Sequence, residues 1–507
     1  MHTIALLPLD DRPACSRLPT QIAAVAGATT LVPPTALMPR LREPGDAGAL
    51  GEWLRTAAKS ADAAVVSLET LGHGGLIASR TRATTVAEVA ARWEVLREIA
   101  TPVHAVTLIT RTPDSPDAME EPAYWDPHGP ALHRLSAALH RSEEGAEPDG
   151  LRVAREAVPA EIRADFARRR LRNHALNLTA LELAAEGVLE SLVVGADDTA
   201  PWAVATAELR QLDFWRTRLE ADARVAVRPG ADEATSTLVA RTLLGLLGGG
   251  PVSIRIEAVD PSGLDRVAPY ENIPVGRTAA GQVEACGATV HEGPDADLVL
   301  LVHTPDGDGD WAAGPPARRS ATAARGARAL ADLAAGHLRA GRAVAVADCA
   351  QPNGADPLLA DALIRTGAAH RLTAYAGWNT AGNTLGTVVA HAVTAVAARR
   401  AGRFDERAHL DLLAHRFVED HGYMTRVRAE IRAELGSVPG RHDHVPEDHP
   451  VRARLATSLD AYARRLPGFQ ASVEPGSVHL PWHRTFETDF DVRTAAPVHR
   501  PIEEPTA

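Results

Sequence analysis

SLVVGADD, residues 191–198, is a short aliphatic run that stops on glycine and two adjacent carboxylates. Its length and β-branched content read as a strand, and its lack of polar alternation reads as a strand buried on both faces. The same design recurs on either side, in AAVVSLE (63–69) and HAVTLITR (104–111), and earlier in IALLPLD (4–10) and TTLVPP (29–34). Downstream lie ARVAVRPG (223–230), PVSIRIE (251–257), DLVLLVHTP (297–305), RAVAVADC (342–349) and LTAYAGWN (372–379). Ala-rich helical stretches such as VAEVAARWEVLREIA (86–100) separate most of them. Strands that alternate with helices pair in parallel.

The expected fold class is therefore α/β. Eight of the ten runs suffice for a TIM-like (β/α)8 barrel with extra strands, a helical insertion and a C-terminal helical extension. On that count 4–10, 63–69, 104–111 and 191–198 are the first four barrel strands, and 29–34 is an extra. Residues 3–400 form the core, 112–190 form an insertion placed as a lid, and 401–507 pack on the core as a helical, then irregular, extension. The alternative is two doubly wound α/β domains, split near 240–250 at LLGLLGGGP. No GxGxxG follows the first strand, so the dinucleotide fingerprint is missing.

A net charge of −12 argues against nucleic-acid and anionic-membrane partners, which need a basic face. No apolar run reaches the roughly 18 residues of a membrane-spanning helix, and the opening MHTIALLPLDDRP reads as a strand and not as a signal peptide. Three scattered cysteines, Cys15, Cys286 and Cys349, give no disulfide framework, and the expected location is the cytoplasm. Lys59 is the one lysine, so neither a Walker A loop nor a Schiff-base lysine has a candidate. No cofactor is expected, and oligomeric state is left open.

Chemistry concentrates where the runs end, because parallel α/β folds bind ligands outside the carboxyl ends of strands. Those ends carry Asp10-Asp11-Arg12, Glu69, Arg111, Asp197-Asp198, Asp232-Glu233, His303, Asp348 and Trp378-Asn379, with Asn383 a few residues on. Any one carboxylate there has an ordinary use as a helix cap or turn residue. The set as a whole points to an acidic, small-molecule pocket. Asp197 and Asp198 are the catalytic candidates, since two packed carboxylates resist ionising together and one becomes a proton donor. The others are expected to bind substrate: carboxylates and Asn hold hydroxyls, Trp378 walls the site, and Arg12 clamps an oxygen or pairs with an aspartate. Arg80 is a possible partner for a pocket carboxylate.

Paired carboxylates serve glycoside hydrolysis, so the leading expectation is a glycosidase-type hydrolase acting on a small carbohydrate-like substrate. Two alternatives stay open. One is a metal-dependent hydrolase or lyase with Asp10, Asp11, His303 and Asp348 as ligands. The other is a non-enzymatic sugar-binding protein. The His-rich stretch RHDHVPEDHP (441–450) has ligand-type residues but reads as a solvated loop.

Six ordered motifs, IALLPLDDRP, SLETLGHGGLIASR, VVGADDTAP, RPGADE, GWNTAGNTLGT and PWHRTFE, resemble the bacterial family catalogued as domain of unknown function 4127. The resemblance spans about residues 3 to 490 and implies membership without an activity. The Asp pair is also similar, locally, to that of substrate-assisted hexosaminidase-type glycosidases. That likeness implies Asp197 orienting a 2-acetamido group and Asp198 acting as general acid/base.

Overall fold

A computed structural model describes residues 1–145, 148–307, 309–315 and 321–495. Eleven strands fall into two open parallel sheets. The first holds β1 (Thr3–Leu7), β2 (Thr29–Leu31), β3 (Ala63–Ser67), β4 (Val103–Ile109), β5 (Ser191–Ala196) and β6 (Val225–Pro229), in the order β2-β1-β3-β4-β5-β6. The second holds β7 (Ser253–Glu257), β8 (Thr289–Val290), β9 (Leu298–His303), β10 (Ala343–Asp348) and β11 (Ala374–Ala376), in the order β11-β10-β9-β7-β8. Starting from its own first strand, the second sheet repeats the topology of the first: one step to an edge, then a return past the start.

The inner strands β1, β3, β4 and β5 bury both faces, as their unbroken apolar sequence requires, while the edge strand β2 is partly exposed. Ile4, Leu6, Val65, Val106, Leu108 and Val193 enter one core cluster, while Ala5, Leu7, Val66, Ala105, Ile109 and Val194 enter another on the opposite side. The first cluster is continuous with the second sheet, through Leu300, Val302, Val344 and Val346.

The expected closed barrel does not form: among the described residues no sheet closes, and the ten runs divide between two sheets. The run at 29–34 is not an accessory strand but the edge of the first sheet, with Thr3 paired to Thr29. The physical reason lies in two helices. Ala234–Leu247 is buried along most of its length, and Ala381–Arg400 is buried from Ala381 through Ala398. A helix without a polar face needs layers on every side, and the outer ring of a barrel leaves one side to water. Here the two helices pack on each other, between the sheets. The chain passes between the two halves at Gly248-Gly249-Gly250, all with positive φ (72°, 88° and 78°), a conformation glycine tolerates. Helix Ala381–Arg400 is long and apolar enough to cross a membrane, but its apolar length is buried in this core.

Within 112–190, helix Ala160–Ala185 is the crossover between β4 and β5. Residues ahead of it, including helix Trp125–Glu143, form a satellite core around Trp125, Leu132, Leu135, Val158 and Phe166. After residue 400 the chain runs through Glu406–Arg416, a π-helical stretch Phe417–Val427, and helices Arg428–Leu435 and Val451–Ala463. It then forms the antiparallel pair β12 (Ser472–Val473) and β13 (Val492–Arg493). The last part of the 401–507 extension, 496–507, lies outside the described residues.

Candidate functional site

An open parallel sheet leaves a crevice where its strand order reverses, because loops on either side of that point leave in opposite directions. In the first sheet the reversal lies between β1 and β3, and in the second between β7 and β9. One cavity of about 300 Å3 receives residues from both. Arg12 follows β1 and Arg80 follows β3; Tyr270 follows β7 and Asp310 follows β9. Arg111, Asp197, Asp198 and Asp232 join from the remaining ends of the first sheet, and Asn353, Asn379 and Asn383 from those of the second. A second cavity, of about 330 Å3, lies at the opposite ends of β5 and β6 around Ser191 and Arg224, away from the crevices.

The cavity wall is a lattice of arginines and carboxylates. Arg12 donates to Asp10 Oδ2 (2.9 Å) and to both oxygens of Asp232 (2.7 and 3.2 Å). Asp232 also accepts from Asn379 Nδ2 at 3.0 Å, joining the two sheets' loops. Arg80 bonds Asp197 directly and reaches Glu120 (3.3 Å) and Glu121 (3.2 Å). Arg111 donates to Asp198 Oδ2 (3.0 Å), Glu120 (3.0 Å) and Glu121 (2.9 Å). Arg484 bonds Glu120 and Glu487 and lies over the Trp482 ring, 4.6 Å from its centroid. Burial alone would raise the Glu120 carboxyl, but Arg111, Arg484 and Arg80 outweigh it and hold the group well below the usual range.

Asp198 behaves oppositely. Burial, followed by the neighbouring Asp197 charge, pushes its carboxyl up to about 6, and Arg111 offsets only part of this. Asp197 is fastened to Arg80, while Asp198 keeps a side chain 28% exposed to the cavity. Backbone strain gathers here too. Of nine described non-glycine residues with positive φ, four line the cavity: Asp198 (31°), Tyr270 (66°), Asn353 (62°) and Asn379 (50°). Such conformations cost about 1–3 kcal/mol each and persist where surrounding structure enforces them, commonly at sites of function.

Of the residues singled out in the sequence, Arg12, Arg80, Arg111, Asp197, Asp198, Asp232, Asn379 and Asn383 line the cavity. Asp10 stands behind Arg12, and Asp11 accepts from Trp482 Nε1 at 2.8 Å. The others turn elsewhere, for evident reasons. Glu69 is buried under β4, accepting from Leu108 N (2.7 Å) and Thr107 Oγ1 (3.1 Å), with burial pushing it up to about 7. Glu233 is sealed in the interior against Arg228 and Gln282 (2.8 Å). Trp378 is not a wall of the site: its indole donates to Thr387 at 3.1 Å inside the core. His303 bonds Asp356 (2.9 Å), and Asp348 accepts from the Asp356 backbone (2.7 Å), so both serve the loop after β10.

The proposed ligand set Asp10, Asp11, His303 and Asp348 is therefore split between two neighbourhoods. Among the described residues no group of three or more His, Cys, Asp or Glu is placed to hold a metal ion. His442 instead contacts the carbonyls of Gly436 (2.8 Å) and Arg432 (3.2 Å), and all three cysteines are buried thiols.

Sequence reasoning missed Tyr270, Asp310, Asn353, Glu120 and Arg484. Arg484 had a signal, lying inside the PWHRTFE motif; Asp310 and Asn353 lie several residues past their strands, beyond the positions where strand ends were read. A family model described as protein of unknown function (DUF4127) matches residues 4–491, and the chain belongs to that family. No curated protein matches the chain.

Proposed function

We propose that this family member is a glycosidase-type hydrolase for a small carbohydrate-like substrate, with Asp198 as the proton donor. One observation carries the proposal: two adjacent carboxylates share a cavity, each bonded to a different guanidinium, and burial beside Asp197 still pushes Asp198 up to about 6. A general acid works best when it holds its proton near operating pH and can lose it readily. Asp198 would protonate the leaving oxygen, and Asp197, fixed by Arg80, would hold a substrate hydroxyl. Asn379 and Asn383 would bond hydroxyls through their amides.

Charge supports a neutral or cationic ligand over a polyanion. Seven carboxylates line the cavity against four arginines, and every one of those arginines already has carboxylate partners. The test is hydrolysis of a panel of aryl glycosides by the parent protein and by Asp198→Asn. Turnover of at least one glycoside, reduced on the order of 100-fold or more in the variant when the leaving group is poor, is the expected result. An inert parent, or a variant at full rate, would refute it.

A second reading has its own support. A cavity between two open sheets also suits a sugar-binding protein that performs no chemistry. A ligand that raises the melting temperature while no product forms would select it.

A further inference from the structure

We infer that Asp310 is the second catalytic carboxylate of this site, the base that activates water while Asp198 acts as the acid. The inference rests on the hydrolase reading above and adds to it a residue from the other sheet. Asp310 lies on the loop after β9, at the reversal point of the second sheet, and lines the same cavity as Asp198.

Three donors fix the orientation of its carboxylate. Tyr270 OH donates to Oδ2 at 2.8 Å, and Asn353 Nδ2 (2.9 Å) and the Ala312 backbone N–H (2.7 Å) donate to Oδ1. Among the described residues Asp310 makes no ion pair, unlike Asp197, Asp198 and Asp232 in the same cavity. Burial and the nearby Asp310 charge keep the Tyr270 phenol protonated, above its ordinary range, so it remains a donor; the Asp198 charge acts on the same phenol. Tyr270 and Asn353 both hold left-handed backbone to make these contacts. That is a rigid cradle built from three loops around one carboxylate, the support a reacting group needs to keep its aim.

The step balances within the site. The Asp310 carboxylate takes a proton from water as the water oxygen bonds to the anomeric carbon. The anomeric carbon–oxygen bond breaks, and the leaving oxygen takes the proton of Asp198. Asp198 ends ionised and Asp310 protonated, and exchange with solvent restores both. Attack and departure on opposite faces give a product of inverted anomeric configuration.

Leaving-group dependence separates the two carboxyls. An acid matters most for poor leaving groups, whereas a base is needed for all of them. Asp198→Asn should therefore lose most on alkyl glycosides and little on nitrophenyl glycosides, while Asp310→Asn should lose on the order of 100-fold or more on both. Asp310→Asn should also keep a melting temperature near the parent's. Full rate in Asp310→Asn beside a crippled Asp198→Asn would overturn the inference and leave the hydrolase reading standing. A first-formed product of retained configuration would overturn the base role as well. Calorimetry with a protonated imino sugar, 1-deoxynojirimycin, is a second readout beside the rates. Binding to the parent that weakens about tenfold or more in Asp310→Asn supports a carboxylate facing the developing positive charge. Absent or unchanged binding refutes it.

Discussion

Replacing Asp198 by Asn should make the protein melt higher at pH 7.5 than its parent, and the gain should vanish at acid pH. The Asp198 carboxyl is raised from 3.8 to about 6 in the folded state, by burial first and by Asp197 second. Between those values the folded chain keeps a proton that the unfolded chain has lost, so stability falls as pH rises through that window. Each pK unit corresponds to about 1.4 kcal/mol, and the loss above pH 7 is about 3 kcal/mol. Asn carries no such cost, and its amide oxygen can still accept from Arg111. Spread over the unfolding entropy of 507 residues, about 2.1 cal/mol/K each, this is a melting shift of about 3 °C. Calorimetric scans of both proteins at pH 4, 6 and 7.5 measure it. The constant effect of exchanging the side chain cancels when the pH values are compared. A difference that stays flat across them would mean an ordinary carboxyl at 198 and no poised donor.

Arg80→Ala should be strongly destabilising, because it strands Asp197 in the interior without its cation and leaves Glu121 with Arg111 alone. Breaking a buried pair from one side costs about 3–5 kcal/mol, so a melting loss under 1 °C in a thermal scan would show that Arg80 holds little. Glu271→Gln should stabilise above neutral pH. Burial raises Glu271 to about 8, and its Oε1 accepts the Gly382 N–H at 2.7 Å, a bond a glutamine oxygen keeps. The parent should therefore lose stability relative to the variant as pH rises from its unfolded value near 4.5 through 8. Parallel melting curves from pH 4 to 9 would contradict this.

The α/β class and the strands themselves were legible, since near-continuous aliphatic runs between helices have few other uses. Whether the sheet closes was harder to read, because strand sequence is the same in a barrel and in an open sheet. The deciding signal sat in helices. TLGTVVAHAVTAVAA, within 381–400, has no polar face and must lie between layers. At the site, residues directly at strand ends were legible, and several of them, from Arg12 to Asn379, line one cavity. Which way each side chain turns was not. Glu69 and Glu233 are carboxyl side chains at strand ends like Asp197, yet one ties down β4 and the other pairs with Arg228. Adjacent residues at a strand end diverge, and sequence does not say which faces the crevice. Asp310 was out of reach because a long loop, not a strand terminus, delivers it.

One carboxyl of the Asp197–Asp198 pair holds its proton up to about pH 6 inside a cavity shared by both sheets. The most direct measurement is a carboxyl carbon-13 titration of protein labelled in its aspartates, recorded beside Asp198→Asn. A resonance present in the parent, absent in the variant and titrating near 6 is the expected result. If the resonance lost in the variant titrates near 4 instead, the pair is two ordinary anions and the site has no acid to offer.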